Sequence, residues 1–468
     1  MTHSSPSEQL HSILTPTDHL TISEHGNLLI EDCDATDLLR TFGSPLFVIS
    51  EMTVRQNYRR IHSAFSERWP APVNVMYAIK ANNNPAIRAI LCQEGAGGDC
   101  FGLGELHATF LGGADPRTIA MNGNYKSRVE LLEAVRLGVL INIDSEEELD
   151  DLKEIAAVLS STVKVALRLK VVPASFNTLG SDYFGIPAKL GDFIKSEKWG
   201  FSLSRAQDLT QQILNTPGLQ FLGYTTHVGR FTRSSAHFAE YMAEFCRMII
   251  QLVRETGARL QMINLGGGWP RQRDPESRSL TLNDSEVEQF ADAAVNKLLD
   301  LLSEARLAVP ELWLEPGRFI VGNSGVLLGT VGAIKRDLGM TWVTADFSTN
   351  NIMRIDTSGS AHHVLACNGM YRKSTEIVDI VGPTCTWSTI TANRLMPQLN
   401  RGDPIAVLDV GMYAETASTQ FNGVPRPATV LVCGKNAEII KARETVDDVF
   451  SKCRIPDRLK PGVVGPHV

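Results

Sequence analysis

Between about residues 45 and 320, short apolar runs alternate with longer stretches whose apolar positions recur at helical spacing. The strand-like runs fall at 45–50, 73–80, 97–102, 118–123, 139–145, 163–170, 219–229, 262–268 and 311–318. Helix-like segments lie between them at 52–68, 85–94, 103–111, 127–137, 145–159, 235–257 and 284–305. With the first run set aside as a lead into the opening helix, eight β/α repeats remain, which predicts an α/β fold built on a (β/α)8 TIM-like barrel. From about residue 322 the pattern changes to short β-rich runs separated by turn residues, the mark of an antiparallel β-domain. The stretch LTISEHGNLLI (20–30) reads as a hairpin around His25-Gly26 and adds an N-terminal piece to that domain. The expected division is therefore 45–320 for the barrel, and 1–44 with 321–468 for the β-domain. Asp34 is placed to cap a helix over 34–42, and the polar residues 1–20 read as loosely ordered at their start. The polar, glycine-bearing connection Pro173–Lys198 exceeds an ordinary βα loop and suits a site cover or an interface.

Composition narrows the functional classes. The 468 residues are enough for two packed units, and 43% hydrophobic with 21% charged residues is ordinary for a soluble protein. A formal net charge of −7, without a dense basic run, argues against a nucleic-acid partner. The eight cysteines include no C-x-x-C pair, so neither a disulfide framework, a structural zinc site nor any other metal centre is expected. The first residues, MTHSSPSEQLHSIL, do not read as a signal peptide, and no apolar run reaches membrane-spanning length. These features predict a cytoplasmic protein with no membrane partner.

Candidate chemistry collects at the carboxyl ends of the predicted strands, where a barrel of this kind carries its site. Those ends hold Lys80, Asp99, Asn122, His227, Gly266, Gly267, Gly268, Glu315 and Arg318. Each has an ordinary structural alternative. A strand-end lysine can snorkel to water, a glycine triplet can be a flexible loop, Glu315 and Arg318 can simply pair, and His227 can be a core histidine. Their convergence on one mouth favours chemistry. A desolvated lysine has a lowered pKa and can form a Schiff base. The glycine triplet lets backbone N–H groups approach an anion. Glu315 can hold a proton on a ring nitrogen. Together these are the requirements of pyridoxal 5'-phosphate.

In order along the chain stand YAIKAN (77–82), GDCFGLGEL (98–106), EKWGFSL (197–203), HVGR (227–230), INLGGGWP (263–270), EPGR (315–318), VGPTC (381–385), DVGMYA (409–414) and FNGVPRPATVLV (421–432). In these motifs the sequence resembles the fold-type III pyridoxal-phosphate decarboxylases, the group of diaminopimelate and ornithine decarboxylases, and the later motifs are most similar to the diaminopimelate branch. The resemblance implies that Lys80 carries the cofactor as a Schiff base, His227 stacks on its ring, Glu315 pairs with the ring nitrogen and Asp99 lies near the ring. It assigns the phosphate to Gly266–Gly268, Gly317, Arg318 and Tyr413; read from its own place in HVGR, Arg230 can stand near a phosphate. It also implies a homodimer with shared active sites, in which Cys385 enters from the partner and protonates the product carbon. Read without the resemblance, Cys385 is a small buried hydrophobe.

The substrate side departs from the family pattern. Thr386 stands where the family has an acid that grips a distal amine. Arg354 aligns with an arginine for a distal carboxylate, but Ser358 replaces the tyrosine that assists it, and Arg230 replaces a usual serine. Arg318, Arg354, Ser358 and Thr386 are the candidate substrate contacts. The expected reaction is decarboxylation of an amino acid: diaminopimelate, D- or L-ornithine or lysine, or the amino-acid end of a biosynthetic intermediate. A racemase on the same barrel and a non-catalytic, partner-binding homologue are the competing readings.

Overall fold

The computed structural model describes residues 4–179, 189–227, 229, 234–283 and 286–460. Eight parallel strands close into a barrel: β1 (Val73–Ala78), β2 (Gly97–Cys100), β3 (Ile119–Met121), β4 (Leu140–Ile143), β5 (Val163–Arg168), β6 (Leu219–Thr225), β7 (Met262–Asn264) and β8 (Glu311–Leu314). Closure is made by β8 against β1, with Leu312 opposite Val73 and Leu314 opposite Val75. All eight strands coincide with the runs expected from the sequence.

Side-chain alternation then decides what lies where. Met76, Ala120, Leu140, Ala166, Met262 and Trp313 point inward and form one apolar plug. Their neighbours Val75, Tyr77, Ile119, Ile141, Val165 and Ile263 point outward into the core shared with the surrounding helices. Two residues beyond each plug residue, the inward position is Ala78, Asn122, Asn142, Arg168, Asn264 or Glu315, and Asp99 stands likewise two beyond Gly97. An apolar layer therefore floors a polar one at the carboxyl ends of the strands. Serine and asparagine caps start the helices that follow, as with Asn84 for Pro85–Gln93 and Ser127 for Arg128–Leu137.

The second sheet orders its main strands Thr389–Met396, Glu376–Val381, Met340–Ala345, Gly325–Asp337, Leu46–Ser50, Ala428–Cys433 and Asn436–Lys441, with Pro404–Leu408 also paired to Gly325–Asp337 and Val364–Ala366 paired to Pro404–Leu408. It is mostly antiparallel, with parallel pairings of Leu46–Ser50 to Ala428–Cys433 and of Met340–Ala345 to Glu376–Val381. The run at 45–50, which the expected boundary gave to the barrel, is thus an interior strand of this sheet. The 20–30 hairpin forms a separate small sheet with Cys33–Asp34. It joins the β-domain by packing, since Leu20, Leu28 and Ile30 share a core with Leu46, Val326 and Val430.

Several helices lie outside the sequence expectation, and two of them matter most for the fold. Pro6–Ile13 replaces the loose N-terminal start: Ser5 and Glu8 form a capping box, and Leu10 and Ile13 are buried. Leu203–Leu214 follows the 173–198 connection and completes the fifth β/α repeat. That connection holds a short turn at Ala174–Asn177 and the helix Leu190–Ser196. Residues 180–188 within it lie outside the described residues. Among the described residues, no helix is long and apolar enough to cross a membrane, and no cluster of side chains suits a metal ion.

Candidate active site

The polar layer is one hydrogen-bonded network. Lys80, in a single helical turn just past β1, places Nζ 2.8 Å from Asp99 Oδ2. Asn122 donates to Asp99 Oδ1 at 2.6 Å and to Glu315 Oε1 at 2.9 Å. Asn264 donates to the same Oε1 at 2.8 Å, and Asn142 orients Asn122 by donating to its Oδ1 at 2.8 Å. Phe101 lies under the ammonium, its ring centre 4.4 Å from Nζ.

The electrostatics follow from burial and from these neighbours. Burial alone would lower the Lys80 pKa, as the sequence suggested. The Asp99 carboxylate, with Tyr413 and Glu315 near, overrides that and holds the amine above its ordinary value. Glu315 is pushed up to about 7, first by burial and then by the Asp99 charge, against the lowering effect of Lys80 and the two asparagines. His227 is held well below its usual value by burial and by the cations Arg168, Lys80 and Arg318. Its ring is therefore neutral, with Nδ1 accepting from the Gly229 N–H at 2.8 Å, which leaves the proton on Nε2.

The glycine triplet lies against this layer. Asn264 Oδ1 accepts from the Gly266 N–H at 2.9 Å, and the Gly266 carbonyl accepts from the Glu315 N–H at 2.8 Å. A Cβ on Gly267 would collide with the Glu315 carbonyl and come within 3.1 Å of His227 Nε2. Gly266 and Gly268 have φ of 72° and 88°, which side chains other than glycine rarely adopt. Gly317 lets the turn after β8 pack on the Lys80 turn, where a Cβ would stand 3.0 Å from that of Ala81. Tyr413 joins from the β-domain, its N–H donating to the Ala81 carbonyl at 2.8 Å.

Arg318 and Arg354 stand beside Tyr413, with guanidinium carbons 6.0 Å and 5.0 Å from its ring centre. Burial would lower the Arg318 pKa, but Glu276 and Asp274 raise it. Ser358 does not face outward for a ligand: its hydroxyl donates to its own helix at the Arg354 carbonyl, 2.9 Å away. Cys385 and Thr386 lie in an exposed loop, contrary to the buried alternative for Cys385. The Cys385 N–H donates to Asn422 Oδ1 at 3.2 Å, and among the described contacts none joins Cys385 or Thr386 to Lys80, Glu315 or His227. Arg230 lies outside the described residues.

Asn264, Asn142, Phe101, Asp274 and Glu276 were not singled out from the sequence. Asn264 and Asn142 could have been found by counting two residues past an inward apolar position. Asp274 and Glu276 had no periodic signal, because they sit in a loop.

These residues suit pyridoxal 5'-phosphate. Both amide donors to Glu315 meet Oε1, and among the described residues no donor reaches Oε2, so that oxygen is available to a ring N–H. A neutral imidazole, a lysine amine and glycine backbone stand around it.

A sequence model of the family described as "Pyridoxal-dependent decarboxylase, pyridoxal binding domain" matches residues 52–322. Diaminopimelate decarboxylase of Methanothermobacter thermautotrophicus is 31% identical over 439 residues, covering 94% of this chain and 98% of that protein. The enzyme of the same name from Methanocaldococcus jannaschii is 31% identical over 446 residues, covering 93% and 96%. A crystal structure of the M. jannaschii diaminopimelate decarboxylase in complex with L-lysine superposes with a TM-score of 0.85 at 28% identity, covering 95% of this chain and all of that one (100%). The chain belongs to the pyridoxal-dependent decarboxylases and is a pyridoxal 5'-phosphate-dependent amino acid decarboxylase.

Proposed function

We propose that the reaction takes place in the polar layer above the barrel plug, on an α-amino acid whose reacting carbon lies beside Lys80. The observation that carries this reading is the single network running from Lys80 through Asp99 and Asn122 to Glu315. When bound, the cofactor supplies a conjugated sink for the electron pair left as CO2 departs. The chain's own residues do the rest. Lys80 is the amine that carries the cofactor, and its Nζ holds a proton within reach of the reacting carbon. Asp99 fixes that amine by accepting its hydrogen bond. Glu315, steadied at Oε1 by two asparagines, keeps Oε2 for the ring nitrogen. His227, neutral and flat, covers the ring and excludes water from one face. Gly266, Gly267, Gly268, Tyr413 and the backbone of the Gly317-Arg318 turn form the phosphate cradle.

Proton delivery to the product carbon is shared between Lys80 and Cys385, the latter from a second copy of the chain. Support for a homodimer with shared sites comes from the loop itself, where Cys385 is exposed and the adjacent Trp387 is 95% exposed. A cytoplasmic setting is supported by the eight free cysteines. Retained Lys80, His227 and Glu315 speak against a non-catalytic homologue, and decarboxylase relatives speak against a racemase.

CO2 release measured over L- and D-ornithine, L- and D-lysine and meso-diaminopimelate tests the reaction. Release from at least one compound is expected, with loss of optical rotation but no CO2 pointing to racemisation instead. Replacing Lys80→Ala removes the visible Schiff-base absorbance and lowers the rate by about a thousandfold or more. A Lys80→Ala protein that kept the band would overturn the lysine assignment.

A further inference from the structure

The two arginines on the substrate side already have carboxylate partners from within the chain. Glu276, in the loop that follows the glycine triplet, bridges them: Arg318 Nη2 lies 2.5 Å from its Oε2, and Arg354 Nε pairs with its Oε1. Asp274 approaches Arg318 Nη1 at 3.4 Å. Glu276 is buried, only 7% exposed. Among the described residues two guanidiniums face two carboxylates, so these four side chains carry no net charge between them.

The arrangement is built in. The Ala361 N–H donates to the Pro275 carbonyl at 2.8 Å, and Arg278 Nε donates to the Ser358 carbonyl at 2.8 Å. These bonds fasten the loop carrying Glu276 to the short helix Arg354–Ser358. A carboxylate on the substrate would have to displace Glu276 from both arginines and leave its buried carboxylate without their charge, which is costly. Ser358, with its hydroxyl turned to its own helix, offers such a carboxylate nothing in return.

We propose that Glu276, assisted by Asp274, is a specificity-determining pair that closes Arg318 and Arg354 to a distal carboxylate. The enzyme then takes amino acids whose far end is uncharged or cationic, and discriminates against dicarboxylic ones. This rests on the reading that the reacting end lies at Lys80.

Meso-diaminopimelate differs from L-lysine and from D-lysine by one distal carboxylate each, according to which end reacts, so the lysine enantiomer that is turned over forms the test pair with it. Holoenzyme of the wild type, Glu276→Gln and Glu276→Asp is compared by kcat/KM for both compounds, and by their dissociation constants from the change in the cofactor's visible band. The wild type is expected to favour that lysine enantiomer or show no preference. Glu276→Gln leaves a guanidinium charge uncompensated and shifts the ratio toward meso-diaminopimelate by about tenfold or more, while Glu276→Asp keeps the wild-type ratio. Asp274→Asn shifts it the same way by less. A wild type that prefers meso-diaminopimelate by about tenfold overturns the proposal. So does a Glu276→Gln protein with a normal cofactor band and melting temperature but an unchanged ratio. Should either replacement fail to fold, the wild-type ratio alone decides. Absence of the cofactor band from wild-type protein would sink the reading of the site itself, a separate result.

Discussion

Glu315 carries a cost in the protein without cofactor. Its carboxyl titrates at about 7 in the folded chain against an ordinary 4.5, because burial and the Asp99 charge disfavour ionisation. A raised carboxyl pKa means that the folded state holds the proton more tightly than the unfolded one. Its penalty is absent below pH 4.5, grows as pH rises and is complete above about 7. In Glu315→Gln the side-chain oxygen still accepts from Asn122 and Asn264, but the charge is gone. The apo variant should therefore gain stability relative to apo wild type between these pH values, by on the order of 2–3 kcal/mol. Melting temperatures of the two proteins across that range check this; a constant difference would mean that Glu315 is not the titrating group. Loaded with cofactor, the same variant should lose about a hundredfold or more in kcat, because a neutral amide cannot hold the ring-nitrogen proton. Individual site residues were legible from the sequence where they ended an apolar run, as with Lys80 and Glu315. The charge on the Lys80 amine differs from expectation because the register of β1 on β2, with Ala78 opposite Asp99, sets the Asp99 carboxylate beside it.

At the level of elements, backbone approach distinguishes the glycines that serve the site from those that do not. Gly267 lies where the loop after β7 touches the turn after β8, and any Cβ there would push the loop off Glu315 and His227. Gly267→Ala should weaken cofactor retention by about a hundredfold, since displacements of about 1 Å cost that much at a reacting centre. Equilibrium dialysis of the cofactor measures it. Gly104 is the control: it lies in the helix Gly102–Leu111 with nothing within 4 Å of an added Cβ. Gly104→Ala should leave cofactor affinity alone and stabilise the chain by about 0.4–1 kcal/mol. Equal cofactor loss in both variants would remove the special role of Gly267. The barrel was readable at this scale because the eight strands are largely buried on both faces and helical segments separate them, several with side-chain caps such as Asn84, Ser127 and Ser145. The strand at 46–50 was assigned to the wrong neighbour because a buried strand reads alike in either sheet. Its partners, Gly325–Asp337 and Ala428–Cys433, are distant in sequence.

Across the whole molecule, the loop that supplies Glu276 is also tied to the β-domain by a buried charge cluster. Asp409, which follows the strand Pro404–Leu408, receives Arg271 Nη2 at 2.7 Å and Arg273 Nε at 2.5 Å, and Arg273 also reaches Asp18 at 2.7 Å. All four side chains are at most 5% exposed. Burial would raise the Asp409 pKa, but Arg273 and Arg271 hold it below the ordinary carboxylate value. A depressed carboxyl pKa gives stability that is present above the unfolded value of 3.8 and lost as pH falls from there through the lower folded value. Charges of this kind contribute little net stability as an intact set, yet removing one member leaves the others buried and uncompensated. Asp409→Asn should therefore cost about 3–5 kcal/mol, read as a lower midpoint in urea unfolding at pH 7. As pH falls below 3.8 the gap to wild type should narrow, because the unfolded chain takes up a proton that the folded carboxylate does not. Since Arg271 and Arg273 precede Asp274 and Glu276 on one loop, the same variant should also loosen discrimination against a distal carboxylate. Full stability together with wild-type selectivity in Asp409→Asn would show that the loop is held by the Pro275 and Arg278 contacts alone.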